Sequence, residues 1–257
     1  MMQKITLKVT TSDQQPLSSN WGYSLYGVLA QCTNSAYIET LHQQNSTPIH
    51  QFLEVLPNRT EALWHIHLLN DDAIHFFGEA IEGRASFSVQ QYHTNLQILT
   101  KNVGMALSET DFCHKHLVEF PCERRQTLQF LTPIGFKSHD AYQIFPTEEL
   151  IIKSLWNHWQ QHSTELSLEG EDVQRQLIEN VQIVDYRLRS TYFPLKGVKI
   201  PSFTGKLILK IHGPAPLVRL VNLLIYFGEY SGVGMKTALG MGGYRLESNA
   251  SCPSVRT

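Results

Sequence analysis

The segment Gly232-Val233-Gly234-Met235-Lys236-Thr237-Ala238-Leu239-Gly240-Met241-Gly242 sets two Gly-hydrophobic-Gly pairs on either side of five residues that include a lysine. Paired glycines let backbone amides approach a phosphate chain without side-chain obstruction, and one lysine adds positive charge to the same cradle. Such a loop can hold a nucleic-acid backbone. A Walker A loop requires glycine directly before Lys-Ser/Thr, but Met235 occupies that place, and the segment follows a helical pattern instead of a strand that opens a domain. A dinucleotide fingerprint fails for a similar reason, because no βαβ unit with an acidic partner follows. The same glycines also suit a tight turn that packs a strand against a helix.

Twelve histidines offer proton-transfer groups, since imidazole titrates near pH ~6.5. His65 and His67 alternate on one strand face, as metal ligands can, yet no third ligand follows at a usable spacing. Cys113, His114, His116 and Cys122 contain no CxxC pair, which argues against zinc. Four cysteines, at 32, 113, 122 and 252, are too sparse for a disulfide scaffold and fit inert thiols in a reducing compartment. No metal and no cofactor is expected.

The elements that must position these groups follow from periodicity. Residues 3–10 alternate as a half-buried strand does, and residues 20–31 space Trp21, Leu25, Val28 and Leu29 along one helix face. A short helical YIETLHQQ and a polar NSTP loop follow. IHQFLEVL and ALWHIHLL read as strands around the turn PNRT. Residues 71–82 suit a helix with an acidic start, and ASFSVQQYHTNLQIL reads as one extended run. The order β-α-β-β-α-β is ferredoxin-like.

A second unit starts near TLQFLTPIGF, with a domain boundary expected at 121–125. Thr147 caps a helix through FPTEELIIKSLWNHWQQ, and EDVQRQLIENV is a shorter one. VQIVDYRLRSTYFPL and VKIPSFTGKLILKIHG are alternating runs joined through PLKG as a hairpin. PAPLVRLVNLLIYFG predicts a helix with prolines at its start and Gly228 at its end, and GYRLES a last strand. The apolar helix LVRLVNLLIYF serves a core more readily than a dimer.

A chain of 257 residues, 42% hydrophobic and 17% charged, describes a folded protein of two modest domains or one large one, at roughly 150 residues per domain. No stretch reaches the ~18 apolar residues of a membrane helix, and the start, MMQKITLKVT, has no apolar signal core, so a cytoplasmic location is expected. The net charge of −2 conceals an asymmetry: residues 1–180 hold 11 Lys+Arg against 20 Asp+Glu, and residues 181–257 hold 10 against 3. A polyanion binds through a local basic surface, so nucleic acid is not excluded. Arg187 and Arg189 alternate on one strand face, and Lys196, Lys199, Lys206 and Lys210 lie along the hairpin, with Arg245 on the last strand. Together they suit a phosphate-tracking groove.

GVGMKTALGMG fits, position for position, the C-terminal glycine-rich signature of the CRISPR repeat-cleaving endoribonucleases of the RAMP superfamily. The chain resembles that family also across GEYSGVGMKTALGMGG, FLTPIGFKSHDAYQIFPTEELIIKSLW and YFPLKGVKIPSFTGKLILKI, and YIETLHQQ is most similar to members accompanying type III-A (Csm) interference complexes. The resemblance implies an α+β protein of two tandem ferredoxin-like (RRM-like, RAMP) domains, residues 1–122 and 123–257. It implies binding of CRISPR precursor RNA and a metal-independent cut within the repeat, leaving 2′,3′-cyclic phosphate and 5′-hydroxyl ends on a guide RNA. Expected partners are the repeat RNA and, transiently, a Csm-type complex; the chain is expected to be a monomer or homodimer, with no membrane partner.

Within that resemblance His42 matches the family's catalytic histidine, and Tyr26 stands where some members carry a catalytic tyrosine. Gly232, Gly234, Lys236, Gly240 and Gly242, with Arg187, Arg189 and Lys199, are the expected RNA-binding residues. Some members use a lysine shortly after the histidine, but residues 43–54 contain none, which leaves His50 or Lys236 as substitutes. A different class of function, a non-catalytic RNA-binding RAMP subunit, would keep the glycine loop and the basic hairpin without a working histidine. A nucleotide-binding protein using the glycine loop would show saturable ATP or GTP binding.

Overall fold

The alternation at the start of the sequence becomes strand β1 (Gln3–Thr11), whose Ile5, Leu7 and Val9 are buried. In this computed structural model, which describes residues 1–44, 47–138 and 140–247, β1 is the centre of the first sheet. It pairs antiparallel with β3 (Glu61–Leu68) and β5 (Thr94–Val103), while β2 (Ile49–Val55) and β4 (Ser86–Val89) form the edges, giving the order β2-β3-β1-β5-β4. Helices α1 (Gly22–Cys32) and α2 (Ser35–Gln44) lie between β1 and β2, and α3 (Asp71–Ile81) follows β3. Asn70 starts α3 by accepting from the Ala73 amide at 2.8 Å, and Phe77, Ala80 and Ile81 then turn into the core. Asn45, Ser46, Ser248 and Cys252, which figure in the expected loop, last strand and thiol set, lie outside the described residues.

The second half repeats the pattern. Its sheet, β11-β6-β10-β9, is built from β6 (Arg125–Ile134), β9 (Val181–Leu195), β10 (Val198–Ile211) and β11 (Tyr244–Glu247). Helices α5 (Glu148–His162) and α6 (Glu171–Glu179) connect β6 to β9, and α7 (Ala215–Ser231) connects β10 to β11. In each half the first strand lies between the third and the last, which is the ferredoxin-like order. Two hydrophobic clusters correspond to the two sheets, one around Trp64 and Phe77 and the other around Trp159 and Leu207.

The structure corrects two expectations and adds two elements. The run 85–99 is two antiparallel strands, β4 and β5, because the chain reverses through a 3-10 turn at Gln90–Tyr92, where Tyr92 stacks on Trp21 at 4.0 Å. A helix unforeseen in the sequence, α4 (Glu109–His114), continues as one wider turn over Lys115–Glu119; Ser108 caps it, and Phe112 enters the second core. The stretch after β6 adds a small hairpin, β7 (Phe136–Ser138) and β8 (Ala141–Gln143). Finally, α7 passes Gly228 and ends at Ser231. Gly228 is small for a packing reason: a Cβ there would come within 2.1 Å of the Tyr244 hydroxyl and 2.5 Å of a Leu155 methyl.

Candidate active site

His42 sits exposed in the last turn of α2, on the short helix expected over YIETLHQQ. Tyr26 projects from α1 and is partly buried against the first core. Both line one cleft of about 600 Å³, together with Tyr23, Lys196 and Lys236. Lys196 and Lys236 belong to the second half of the chain, so the cleft is assembled from both.

Each lysine is carried by a turn. The hairpin β9–β10 closes through Lys196-Gly197 between the paired residues Leu195 and Val198, with φ of 48° and 81°. A two-residue turn with both residues left-handed matches the twist of long strands and projects Lys196 at the tip. Its ammonium stands 5.8 Å from the centre of the Tyr23 ring. Lys236 is also left-handed, at φ 58°, and opens a 3-10 turn at Thr237–Leu239. Burial raises the Tyr26 phenol above its ordinary value, so it is a proton-bearing donor at neutral pH.

The glycine loop is more enclosed than an open phosphate cradle. Gly232, Gly240 and Gly242 are buried. Their amides go to Gly228, Thr237 and Pro133 carbonyls, and the Gly234 amide goes to Ser154 Oγ at 2.7 Å. Gly240, at φ 103°, touches Gly22 at the start of α1; a Cβ on it would lie 2.6 Å from the Gly22 Cα. Gly240 therefore brings the two halves into backbone contact, and the loop presents Lys236 as its exposed crest.

His50 is corrected as a stand-in for the missing lysine. It is 1% exposed, its Nδ1 bonds the Tyr230 carbonyl at 3.1 Å, and burial pushes its pKa down to about 3. His67 is buried beside it, and His65 Nε2 meets Glu54 at 3.0 Å, so their strand-face spacing serves the seam between halves. Among the described residues no group of three or more His, Cys, Asp or Glu side chains is placed to hold a metal ion. His116 packs on Phe112 and Tyr226, and His114 pairs with Glu119 at 3.1 Å.

The basic hairpin divides into paired and unpaired charge. Arg187 and Lys206 are register partners, and the row continues across the sheet through Gln129 to Arg245. Lys206 bonds Glu247, and Arg245 reaches Glu54 at 3.3 Å. Arg187, Arg189 and Lys199 are exposed and make no ion pair among the described residues. Tyr23 is a cleft residue that the sequence reading missed; its spacing of three from Tyr26 on α1 was the available signal.

Two ferredoxin-like sheets that share one polar cleft define the class as a tandem ferredoxin-like α+β protein. The profile of the family described as CRISPR-associated endoribonuclease Cas6 matches residues 128–244. A CRISPR-associated endoribonuclease Cas6 of Streptococcus thermophilus is 35% identical over 227 residues, covering 86% of this chain and 89% of that protein. One from Mycobacterium tuberculosis is 26% identical over 250 residues, covering 95% and 77%. The solved structure of a Cas6 product complex superposes with a TM-score of 0.77 at 21% identity, covering 96% of this chain and 100% of that one. The chain belongs to the Cas6 family of CRISPR-associated endoribonucleases.

Proposed function

We propose that the protein cuts CRISPR precursor RNA within its repeat without a metal ion, with His42 transferring a proton at the cleft. In this reaction the ribose 2′-oxygen forms a bond to the adjacent phosphorus and the bond from phosphorus to the 5′-oxygen breaks. A base takes the 2′-hydroxyl proton, and an acid returns one to the leaving 5′-oxygen. The products are a 2′,3′-cyclic phosphate and a 5′-hydroxyl. His42 takes one of these proton-transfer roles, which suits an imidazole at neutral pH. Tyr26 donates a hydrogen bond to the reacting oxygens, and Lys196 and Lys236 stabilise charge that builds on the phosphorane. Arg187, Arg189 and Lys199 hold the repeat backbone away from the cut.

The observation that carries this reading is the gathering of His42 and Tyr26 from the first half with Lys196 and Lys236 from the second around one cleft. The test is cleavage of the repeat RNA from the host's own array in EDTA, comparing wild type with His42→Ala. The variant is expected to lose ~10²–10⁴-fold in rate while binding is retained, the range for a general acid–base group. Full cutting by the variant would move the active site elsewhere. Binding without cutting by either protein would favour a non-catalytic RNA-binding subunit.

A further inference from the structure

Gln51 is fully buried in the middle of β2, where an uncharged amide must find hydrogen-bond partners for all its polar atoms or destabilise the fold. It finds three, each on a different element. Its Nε2 donates to the Gly22 carbonyl at 2.8 Å and to the Ala238 carbonyl at 2.9 Å, and its Oε1 accepts from Trp64 Nε1 at 2.8 Å. Only one orientation of the amide satisfies two carbonyls and one N–H together.

The two carbonyls belong to the two walls of the cleft. Gly22 opens α1, which carries Tyr23 and Tyr26. Ala238 lies two residues beyond Lys236 in the 3-10 turn of the glycine loop. Where these segments meet, Gly22 and Gly240 are in backbone contact and no side chain fits between them. A polar tie across that seam must reach in from a neighbouring strand, and Gln51 does so. Trp64, itself 0% exposed on β3, fixes the amide from behind.

We infer that Gln51, held by Trp64, is a positioning residue that sets Lys236 against Tyr26 and His42; this rests on the catalytic reading of the cleft proposed above. It touches no RNA and exchanges no proton. Its removal takes away the amide that the Gly22 and Ala238 carbonyls share and the acceptor of the Trp64 indole N–H, and frees the loop crest from α1, while the hairpin assigned to the repeat is untouched.

The test uses the full chain as wild type, Gln51→Met, which keeps length and volume but cannot donate, and Trp64→Phe, which removes the supporting N–H together with part of a buried ring. Cleavage of the repeat RNA is measured for kcat and KM over a pH range, and amide hydrogen exchange is followed in the free protein. The expected result for Gln51→Met is a kcat lowered at least tenfold at unchanged KM, a pH profile of unchanged shape, and faster exchange confined to residues 236–240. Trp64→Phe should show the same pattern more weakly, and it carries the test if Gln51→Met does not fold. Unchanged kcat in both variants overturns the inference. So does a joint change in kcat and KM with faster exchange throughout the protein, which marks a general structural role. Exchange needs no cleavage, so a wild type that fails to cut overturns the functional reading while the tie is still judged by exchange.

Discussion

Tyr26 has one foot in the first core and one in the cleft, and burial keeps its phenol protonated. A protonated phenol donates a hydrogen bond but is a poor base, which fixes what Tyr26→Phe should do. The ring and its packing remain, so thermal stability should hold, while kcat falls about tenfold, the effect of one lost hydrogen bond of about 1.4 kcal/mol. The ratio of wild-type to variant rates should stay constant between about pH 6 and 9 in single-turnover cleavage. A ratio that climbs with pH would mean that a tyrosinate acts as the base. His50 gives the contrasting lesson. Its sequence neighbourhood made it a candidate for the missing charge, yet a side chain 1% exposed and bonded to a carbonyl has no charge to offer.

At the scale of elements, two turns carry the lysines to which the proposed reaction assigns charge stabilisation. Lys196 and Lys236 both hold left-handed backbone, which costs a non-glycine residue on the order of 1 kcal/mol or more. The strain can be separated from the charge at Lys236. Lys236→Gly relaxes the backbone and removes the ammonium, so the urea midpoint should hold or rise, by up to about 1 kcal/mol of stability, while cleavage falls. Lys236→Ala retains the strain and should lose the same activity without the stability gain. Equal midpoints with normal cleavage in both variants would remove Lys236 from the site.

Considered whole, the molecule is two ferredoxin-like sheets locked along a seam rich in neutral imidazole. His50 and His67 are both held uncharged by burial, facing each other with Lys4, His65 and His158 nearby. Their folded pKa values lie below the unfolded value of ~6.5, so the unfolded chain takes up protons first as pH falls. The stability they allow is complete above about pH 6.5 and is lost progressively below it. For His50, whose pKa is about 3, the loss between pH 6.5 and 5 comes to about 2 kcal/mol, and His67 adds to it in the same direction. Urea unfolding followed by circular dichroism at pH 7 and pH 5 measures this. His50→Gln should flatten the dependence, and an unchanged slope would mean that the imidazoles are already solvated in the folded state.

Much of this was legible in the chain. Period-two runs gave β1, β2, β3, β9 and β10, and capping residues Asn70 and Thr147 with acidic first turns gave α3 and α5, because those signals act within a few residues of one another. The glycine signature carries the resemblance to an RNA-cleaving family, the charge asymmetry leaves nucleic acid open as a partner, and the family pattern marks His42 and Tyr26. Other features rest on long-range packing. Gly228 reads as a helix terminator in the sequence, but its smallness makes room for Tyr244 and Leu155, and α4 escapes local signals because its buried anchor, Phe112, serves the core of the other half. The sequence by itself determined the elements, their order and the residue types available for chemistry. Only the tertiary structure decided which of the histidines faces the cleft, that its lysines come from two distant turns, and that Gln51 bonds both the glycine loop and α1, since those facts depend on contacts between residues as much as 187 apart along the chain.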